Sequence, residues 1–205
     1  MLVGSLVHLM IDHEVKAGNG PIKECPVFWD DECEWTPPDE AIDEAWRVYR
    51  DWAKIRKGWD GRKPISSELL LKAELAPGIH VSALIDWLGY DEDGVLVLED
   101  FKTAGRSGDI HSRGRTRLQL QLYTMCAWAN NYDVQKIQVR QIVKTKEVKE
   151  ELFTIDLPTF TREDLILRYL QGAKSREALG ELGPRGAECD FCPFSSEFGN
   201  SLCRL

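Results

Sequence analysis

A short β-hairpin with a carboxylate on each strand is the feature that most constrains this chain. Two apolar segments, 79–88 and 94–103, flank the acidic turn 91–94, and this arrangement predicts two antiparallel strands. Folding at the turn brings Asp86 on the first strand close to Asp100 on the second. The sequence therefore predicts a pair of carboxylates at one point of a β-sheet.

The second strand adds a lysine to this pair. Because side chains alternate between faces along a strand, Asp100 and Lys102 share a face, whereas Glu99 points to the opposite one and receives no metal role. Mg²⁺ and Mn²⁺ prefer carboxylate oxygens and often keep only one or two of them, with water and phosphate oxygens completing the shell. A metal ion there would lower the pKa of a bound water, which the lysine could position beside a phosphate. The alternative is a solvated strand end with a surface ion pair, because Asp-x-Lys alone is common by chance.

Two predicted helices carry further polar side chains. Apolar residues recur at three- and four-residue steps over 115–129, which indicates a helix, and Gln119 and Tyr123 share one face of it. An earlier helix is predicted at Gly4-Ser5-Leu6-Val7-His8, where the imidazole could bind a metal or contact a phosphate. A single histidine on a helix more often has a structural role.

In their order along the chain these residues resemble the motifs of the PD-(D/E)xK nuclease superfamily. Within it they resemble the RecB-like exonuclease branch, which includes phage and CRISPR-associated enzymes. The matching parts are Gly4 to His8, a strand glutamate (Glu68 or Glu74), Asp86, Asp100 to Lys102, and Gln119 with Tyr123. The resemblance implies a restriction-endonuclease-like α/β (α+β) fold, in which a central mixed β-sheet is flanked by helices.

The resemblance also implies a role for each matching residue. The implied metal ligands, for Mg²⁺ or Mn²⁺, are His8, Asp86, Asp100 and the carbonyl of Phe101. The implied catalytic set is Glu68, Asp86, Asp100, Lys102, Gln119 and Tyr123. Gln119 and Tyr123 would hold the DNA backbone or support the lysine. Glu68 and Glu74 precede the hairpin on the same predicted strand, and Glu68 is the preferred choice.

By this resemblance the chain is expected to be a metal-dependent deoxyribonuclease, an exonuclease that hydrolyses phosphodiester bonds with metal-activated water. Its partner would be DNA that is single-stranded or has free ends, in the cytoplasm of a prokaryotic or phage-infected cell. The preference for an exonuclease rests on family analogy. The alternatives are a structure-specific DNA endonuclease of the same superfamily and a non-catalytic nucleic-acid-binding module.

Cysteines form a second constellation near the C-terminus. Cys189-x-x-Cys192, followed by Cys203, has the spacing of a zinc or iron–sulfur site. RecB-like exonucleases often hold a [4Fe-4S] cluster with similar cysteines, and here Cys25 or Cys33 would be the fourth ligand. The alternatives are Zn²⁺ or a set of reduced thiols without any metal. Cys126, on the apolar side of its helix, is expected to be a residue of the hydrophobic core.

Length and composition fit one nuclease domain over 1–205, with 183–205 as a metal- or cluster-binding extension. No apolar run approaches the ~20 residues that a membrane span needs, and no secretory signal is evident. The net charge of −8 is unfavourable for DNA binding. Basic residues nevertheless cluster after the hairpin, in a segment whose glycines (Gly105, Gly108 and Gly114) predict a mobile loop: Lys102, Arg106, His111, Arg113, Arg115 and Arg117.

The remaining elements complete a mixed fold. Further strands are predicted at 67–75, 136–144 and 151–157, and a last helix near residue 161. A helix beginning near Pro37-Pro38-Asp39 carries an apolar stripe that is expected in the core: Ile42, Ala45, Trp46, Tyr49, Trp52 and Ile55. The segment 18–35 is predicted to be a loop whose aromatic residues could stack on unpaired bases.

Overall fold

The computed structural model describes residues 2–18, 20–26, 37–56, 58–59, 61–76, 79–108 and 114–158. All of these residues fall within one compact unit, Met1–Pro158. Within them the helices are α1 (Leu2–Lys16), α2 (Asp39–Ile55) and α3 (Gly114–Ala129). The strands are β1 (Lys63–Ala76), β2 (Ile79–Tyr90), β3 (Leu96–Ala104), β4 (Lys136–Val143) and β5 (Lys149–Ile155). The five predicted strands are confirmed with small shifts at their ends, whereas the helix predicted near residue 161 and the extension 183–205 lie outside the described residues.

The strands form one mixed sheet in the order β1-β2-β3-β4-β5. The pairs β1–β2, β2–β3 and β4–β5 are antiparallel, and β3–β4 is parallel. A parallel pair needs a crossover connection, which α3 supplies between β3 and β4. The predicted fold class is therefore confirmed. In the described part of the chain, none of the helices has the length and apolar character to cross a bilayer.

Two apolar cores lie on the two faces of the sheet. The α1–α2 core contains five large aromatic side chains, Tyr49, Trp52, Trp59, Trp87 and Phe101. The α3 core contains, among others, Ile85, Leu98, Leu120 and Cys126. The burial of Cys126 confirms its expected place in the core. Asp100 and Lys102 lie on the face of β3 that carries Leu98, so α3 covers the side of the sheet that bears the predicted site.

The predicted apolar stripe of α2 is wrong at its last position. Ala45, Tyr49 and Trp52 are buried, but Ile55 is 42% exposed. Ile55 is the last residue of the helix, where the chain leaves the core, so periodicity alone extends the stripe too far.

Glu99 points away from Asp100, as expected from strand alternation. Its carboxylate is fully buried and accepts hydrogen bonds from Arg62 at 2.8 Å and Arg140 at 2.5 Å. Arg140 also donates to Glu150 at 2.5 Å. Because buried charges need partners, this network fixes β3 to its neighbours on the side opposite the candidate site.

Candidate active site

The hairpin that carries the two aspartates is held by its turn. The Asp91 carboxylate accepts hydrogen bonds from the backbone N–H groups of Asp93 at 3.1 Å and Val95 at 3.0 Å. Gly94 adopts a φ of 78°, a conformation that glycine reaches without strain. The turn predicted from the acidic sequence is therefore confirmed.

Beyond the turn, β2 and β3 pair only over a short distance and then separate. Their ladder runs from Tyr90 opposite Leu96 to Trp87 opposite Glu99. At the fork, Asp86 Oδ2 accepts a hydrogen bond from the backbone N–H of Phe101 at 2.7 Å. A side chain thus takes the place of the next ladder partner and holds the Asp86 carboxylate beside the strand segment that bears Asp100.

Near the same fork, the side chains of the paired strands β1 and β2 switch from one face of the sheet to the other. Ser67 pairs with Trp87 and Leu69 pairs with Ile85, but Trp87 belongs to the α1–α2 core and Ile85 to the α3 core. Regular alternation would put residues two apart on the same face. Between Ser67 and Leu69, Glu68 has a φ of 47°, in the left-handed region that non-glycine residues rarely adopt. Such strain is concentrated at functional sites.

Helix α1 approaches β3 closely enough to deliver His8 to this fork. A Cβ atom on Gly4 would lie 2.4 Å from Thr103 Oγ1, so only glycine permits this contact between helix and strand. One turn later the His8 ring packs edge-on against Phe101, with 5.9 Å between ring centroids. The first glycine of the Gly-x-x-Val-His segment therefore has a packing role that places the histidine.

His8, Glu68 and Asp86 converge on one point. Their ligand atoms all lie within 4.8 Å of one another, and His8 Nδ1 is 3.6 Å from Asp86 Oδ2. Glu74, the alternative glutamate, lies farther along β1 opposite His80 and is exposed. The structure therefore places Glu68 rather than Glu74 beside the histidine and the first aspartate.

Asp100 and Lys102 share a face of β3, as predicted, and form an ion pair. Lys102 Nζ lies 2.9 Å from Asp100 Oδ1 and 2.7 Å from Oδ2, but only the contact with Oδ1 has hydrogen-bond geometry. Within the described residues, the buried Oδ2 atom has no hydrogen-bond partner. A buried carboxylate oxygen that faces only a lysine ammonium group can still bind a cation, so the donor set suits a divalent metal.

The ionisation of these groups fits the same conclusion. Burial and then Asp86 raise the pKa of Asp100 to about 6. Burial, Asp86 and Asp12 raise the pKa of Glu68 to about 7. Burial also raises the pKa of Asp86, and burial with the nearby Lys102 lowers that of His8 to about 4. Carboxylates crowded together in a poorly solvated site repel one another, and a neutral imidazole is the form that binds metal.

Gln119 and Tyr123 share one face of α3, as the spacing predicts. Gln119 Nε2 donates a hydrogen bond to Tyr123 Oη at 2.9 Å, and both side chains are partly buried. No hydrogen bond joins either side chain to Lys102 in the described part of the chain. Their predicted roles, in holding the DNA backbone or supporting the lysine, remain predictions.

The predicted basic loop is only partly described. Arg106 is exposed, and Arg117 is exposed with an ion pair to Asp156 at 3.3 Å. Gly114 begins α3, so its place in a mobile loop was wrong. His111, Arg113 and the side chain of Arg115 lie outside the described residues.

Only one of the predicted cluster cysteines is described. Cys25 is partly buried against the α1–α2 core, and burial together with Asp43 raises the pKa of its thiol. In the metal-free protein, a raised pKa favours the protonated thiol over the thiolate, which is the form that binds metal. Cys33, Cys189, Cys192 and Cys203 lie outside the described residues, as do Phe28, Trp29 and Trp35, the aromatic residues of the loop predicted at 18–35.

The sequence interpretation missed two polar residues beside the cluster. Asp12 follows His8 by four residues, so it lies on the same face of α1, and it contacts Ser67 next to Glu68. The four-residue spacing on a predicted helix could have drawn attention to Asp12. Nothing in a pattern of alternation could have selected Ser67.

Comparisons with known proteins concern the fold and the family of the chain. No curated protein matches the chain. Among solved structures, one described as a "Putative exonuclease" from Eubacterium rectale aligns with 12% identity and a TM-score of 0.54, covering 95% of this chain and 74% of that one. SSO0001 aligns with 16% identity and a TM-score of 0.47, covering 95% of this chain and 81% of that one. The family model of the PD-(D/E)XK nuclease superfamily matches residues 2–196, and the chain belongs to that superfamily.

Proposed function

We propose that this nuclease is a Mg²⁺- or Mn²⁺-dependent DNA exonuclease of the RecB-like type. The observation that carries the proposal is the convergence of His8, Glu68 and Asp86 within 4.8 Å. The ion pair between Lys102 and Asp100 on β3 adds a further carboxylate and an ammonium group to the site. Nucleases of this superfamily use divalent metals, and this donor set suits one.

The residues of the site would divide the work between them. His8, Glu68, Asp86 and Asp100 would hold the metal, with the Phe101 carbonyl as a further oxygen. A bound divalent ion supplies an activated water and offsets charge that develops on the phosphate. Lys102, 35% exposed and held by Asp100, can donate hydrogen bonds to the attacking water or to a phosphate oxygen. Gln119 and Tyr123 would hold the DNA backbone beside it.

Attack from strand ends is the finer part of the proposal. It is supported by the order of the motifs, which resembles that of RecB-like exonucleases, and by the description given to the Eubacterium rectale protein of similar fold. The substrate would be DNA that is single-stranded or has free ends. A structure-specific endonuclease would use the same metal site, so only the form of the substrate separates the two activities.

Two lysines with nearly equal exposure allow a matched test of the site. Lys102 is 35% exposed and paired with Asp100, and Lys136 is 34% exposed and paired with Asp91. Lys102→Ala and Asp100→Asn should each lower the rate of degradation of end-labelled linear DNA by at least about 100-fold in Mn²⁺. Lys136→Ala should retain the wild-type rate. Full activity of both site variants would refute the proposed active site.

Circular single-stranded DNA separates the candidate activities. An exonuclease leaves this substrate intact while it degrades the linear form of the same sequence. If the circle is cut at a comparable rate, the enzyme is an endonuclease and the exonuclease proposal is wrong. Binding of linear DNA without any cleavage in Mn²⁺ or Mg²⁺ would instead support a non-catalytic binding module.

A further inference from the structure

One side chain of α1 contacts β1 beside the candidate ligands His8, Glu68 and Asp86, but is not itself one of these ligands. Asp12 lies one helical turn after His8 and accepts a hydrogen bond from Ser67 Oγ at 2.5 Å. Its other oxygen accepts from Lys16 Nζ at 2.7 Å. Ser67 is only 5% exposed, so this contact is shielded from water. Helix α1 is thus tied to β1 at the residue that immediately precedes Glu68.

The strained conformation of Glu68 is fixed from both sides of the sheet. Ser67 is bound to α1 on one face, whereas Leu69 packs against the α3 core on the other. In a regular strand these two residues would share a face. Holding them on opposite faces requires the intervening residue to depart from the extended conformation, and Glu68 does so with its φ of 47°.

This conformation has a consequence for the cluster. It directs the Glu68 carboxylate to within 4.8 Å of the ligand atoms of His8 and Asp86. Electrostatically the contact with Asp12 is unfavourable, because it brings another carboxylate toward Glu68. An apolar contact between α1 and β1 would tie the helix to the strand without that repulsion. The arrangement is therefore explained better by the geometry it gives Glu68 than by stability.

We propose that Asp12 and Ser67 form a positioning brace, called here the Asp12–Ser67 brace, that holds Glu68 in the conformation needed to bind the divalent cation. The inference rests on the proposed function, since it requires that Glu68 is a ligand. Asp12 and Ser67 themselves do not touch the metal. Lys16 pairs with Asp12 on its solvent side and offsets part of the repulsion between Asp12 and Glu68.

Mn²⁺ binding by the metal-free protein tests the brace without reference to nuclease activity. Ser67→Ala removes the donor and should weaken Mn²⁺ binding, measured by titration calorimetry, by about tenfold, as is typical when a residue that orients a ligand is lost. Ser67→Thr keeps the hydroxyl and should restore most of the affinity. Ser82→Ala changes an exposed serine on the paired strand β2 and should leave the affinity unchanged.

A double-mutant cycle with Glu68→Gln separates positioning from a general structural effect. If Ser67 acts through Glu68, Ser67→Ala should weaken Mn²⁺ binding no further in the Glu68→Gln background. Additive losses, or unchanged Mn²⁺ affinity in Ser67→Ala, would overturn the brace. A wild-type protein that binds no Mn²⁺ would overturn the proposed function itself, so the two failures are distinct. Asp12→Asn keeps an acceptor for Ser67 and should bind Mn²⁺ nearly as well as the wild type; a tenfold loss would contradict the inference.

Discussion

Glu99 and Asp100 are neighbours on β3, yet their carboxylates lie in opposite electrostatic environments. Burial alone would raise the pKa of Glu99, but the adjacent Arg140 and Arg62 hold this pKa below its usual range. On the other face, burial and Asp86 raise the pKa of Asp100 to about 6, despite the adjacent Lys102. On one face of the strand, Glu99 contacts two arginines, one of which also pairs with Glu150, whereas on the other face Lys102 is the cation paired with Asp100.

A second buried carboxylate on the α1–α2 side follows the same rule as Glu99. Glu14 is fully buried and accepts hydrogen bonds from Arg56 at 2.5 and 2.7 Å, from Tyr49 at 2.5 Å and from Trp59 at 3.1 Å. Carboxylates that serve the fold are thus supplied with donors and cations from the chain itself. Those at the fork of β2 and β3 have fewer, since the Phe101 N–H donates to Asp86 and Lys102 pairs with Asp100, and this shortage of cations supports the proposal that a metal ion binds there.

Glu99→Gln should show the largest effect of the variants that test this difference. The variant removes the carboxylate that Arg62 and Arg140 share, and breaking a buried ion pair costs about 3 to 5 kcal/mol of unfolding free energy. The measurement is urea unfolding of the metal-free protein.

An exposed ion pair supplies the control. Glu44 pairs with Arg47 at 2.8 Å near the surface, and Glu44→Gln should change the unfolding free energy by no more than about 1 kcal/mol. Equal effects of the two variants would show that the buried network on the α1–α2 side contributes no more than a surface pair, and the distinction between the two faces would be lost.

The hairpin and the Asp100–Lys102 pair could be predicted because they depend on local rules. A turn sequence and a period of two fix which strand residues share a face, and a period of 3.6 does the same for Gln119 and Tyr123. These rules need no knowledge of distant parts of the chain. They were sufficient to predict the strands, the order of helices and strands along the chain, and the orientation of Glu99 away from Asp100.

The partners of the carboxylates could not be predicted in this way. Arg62 and Arg140 lie 37 and 41 residues from Glu99 in sequence, and a lone arginine in a sequence is indistinguishable from a surface charge. The conformation of Glu68 is also non-local, because it arises from α1 on one face and the α3 core on the other. Strict alternation would place Ser67 and Leu69 together, which is the point where the local rule fails.

The strain at Glu68 can be measured separately from its charge. Glu68→Gly and Glu68→Ala both remove the carboxylate, but only glycine adopts a positive φ without steric cost. The glycine variant should therefore be more stable than the alanine variant by about 0.5 to 1 kcal/mol, because about 1 to 2 kcal/mol of strain is offset in part by the entropy of glycine.

The same pair of substitutions at Lys72, an exposed position of β1, should give the opposite order. There the backbone is regular, and glycine should be less stable than alanine by about 0.5 to 1 kcal/mol. Thermal unfolding of the four variants in a chelator gives both differences. The same order at both positions would mean that Glu68 carries no strain for the site to use.

The smallest effect, and the one that contrasts the two faces most directly, is the dependence of stability on pH. The pKa of Glu68 is raised from 4.5 to about 7, so its proton is held more tightly in the folded, metal-free protein than in the unfolded chain. Its contribution to stability is complete below about 4.5 and is lost as the pH rises through about 7. Glu99 has the opposite sign, because its lowered pKa gives stability above 4.5 that is lost only as the pH falls below that value.

Between pH 5 and 8 in a chelator, Glu68→Gln should therefore flatten the decline of unfolding free energy with rising pH, whereas Glu99→Gln should leave the slope in this window unchanged. Solvent reaches the half-buried Glu68 side chain, so the change in slope should be small. Saturating Mn²⁺ should reverse the sign for the wild-type protein, because the metal binds the deprotonated carboxylates and stabilises the fold more as the pH rises. A slope that Mn²⁺ leaves unchanged would mean that the carboxylates at the fork do not receive their cation from solution.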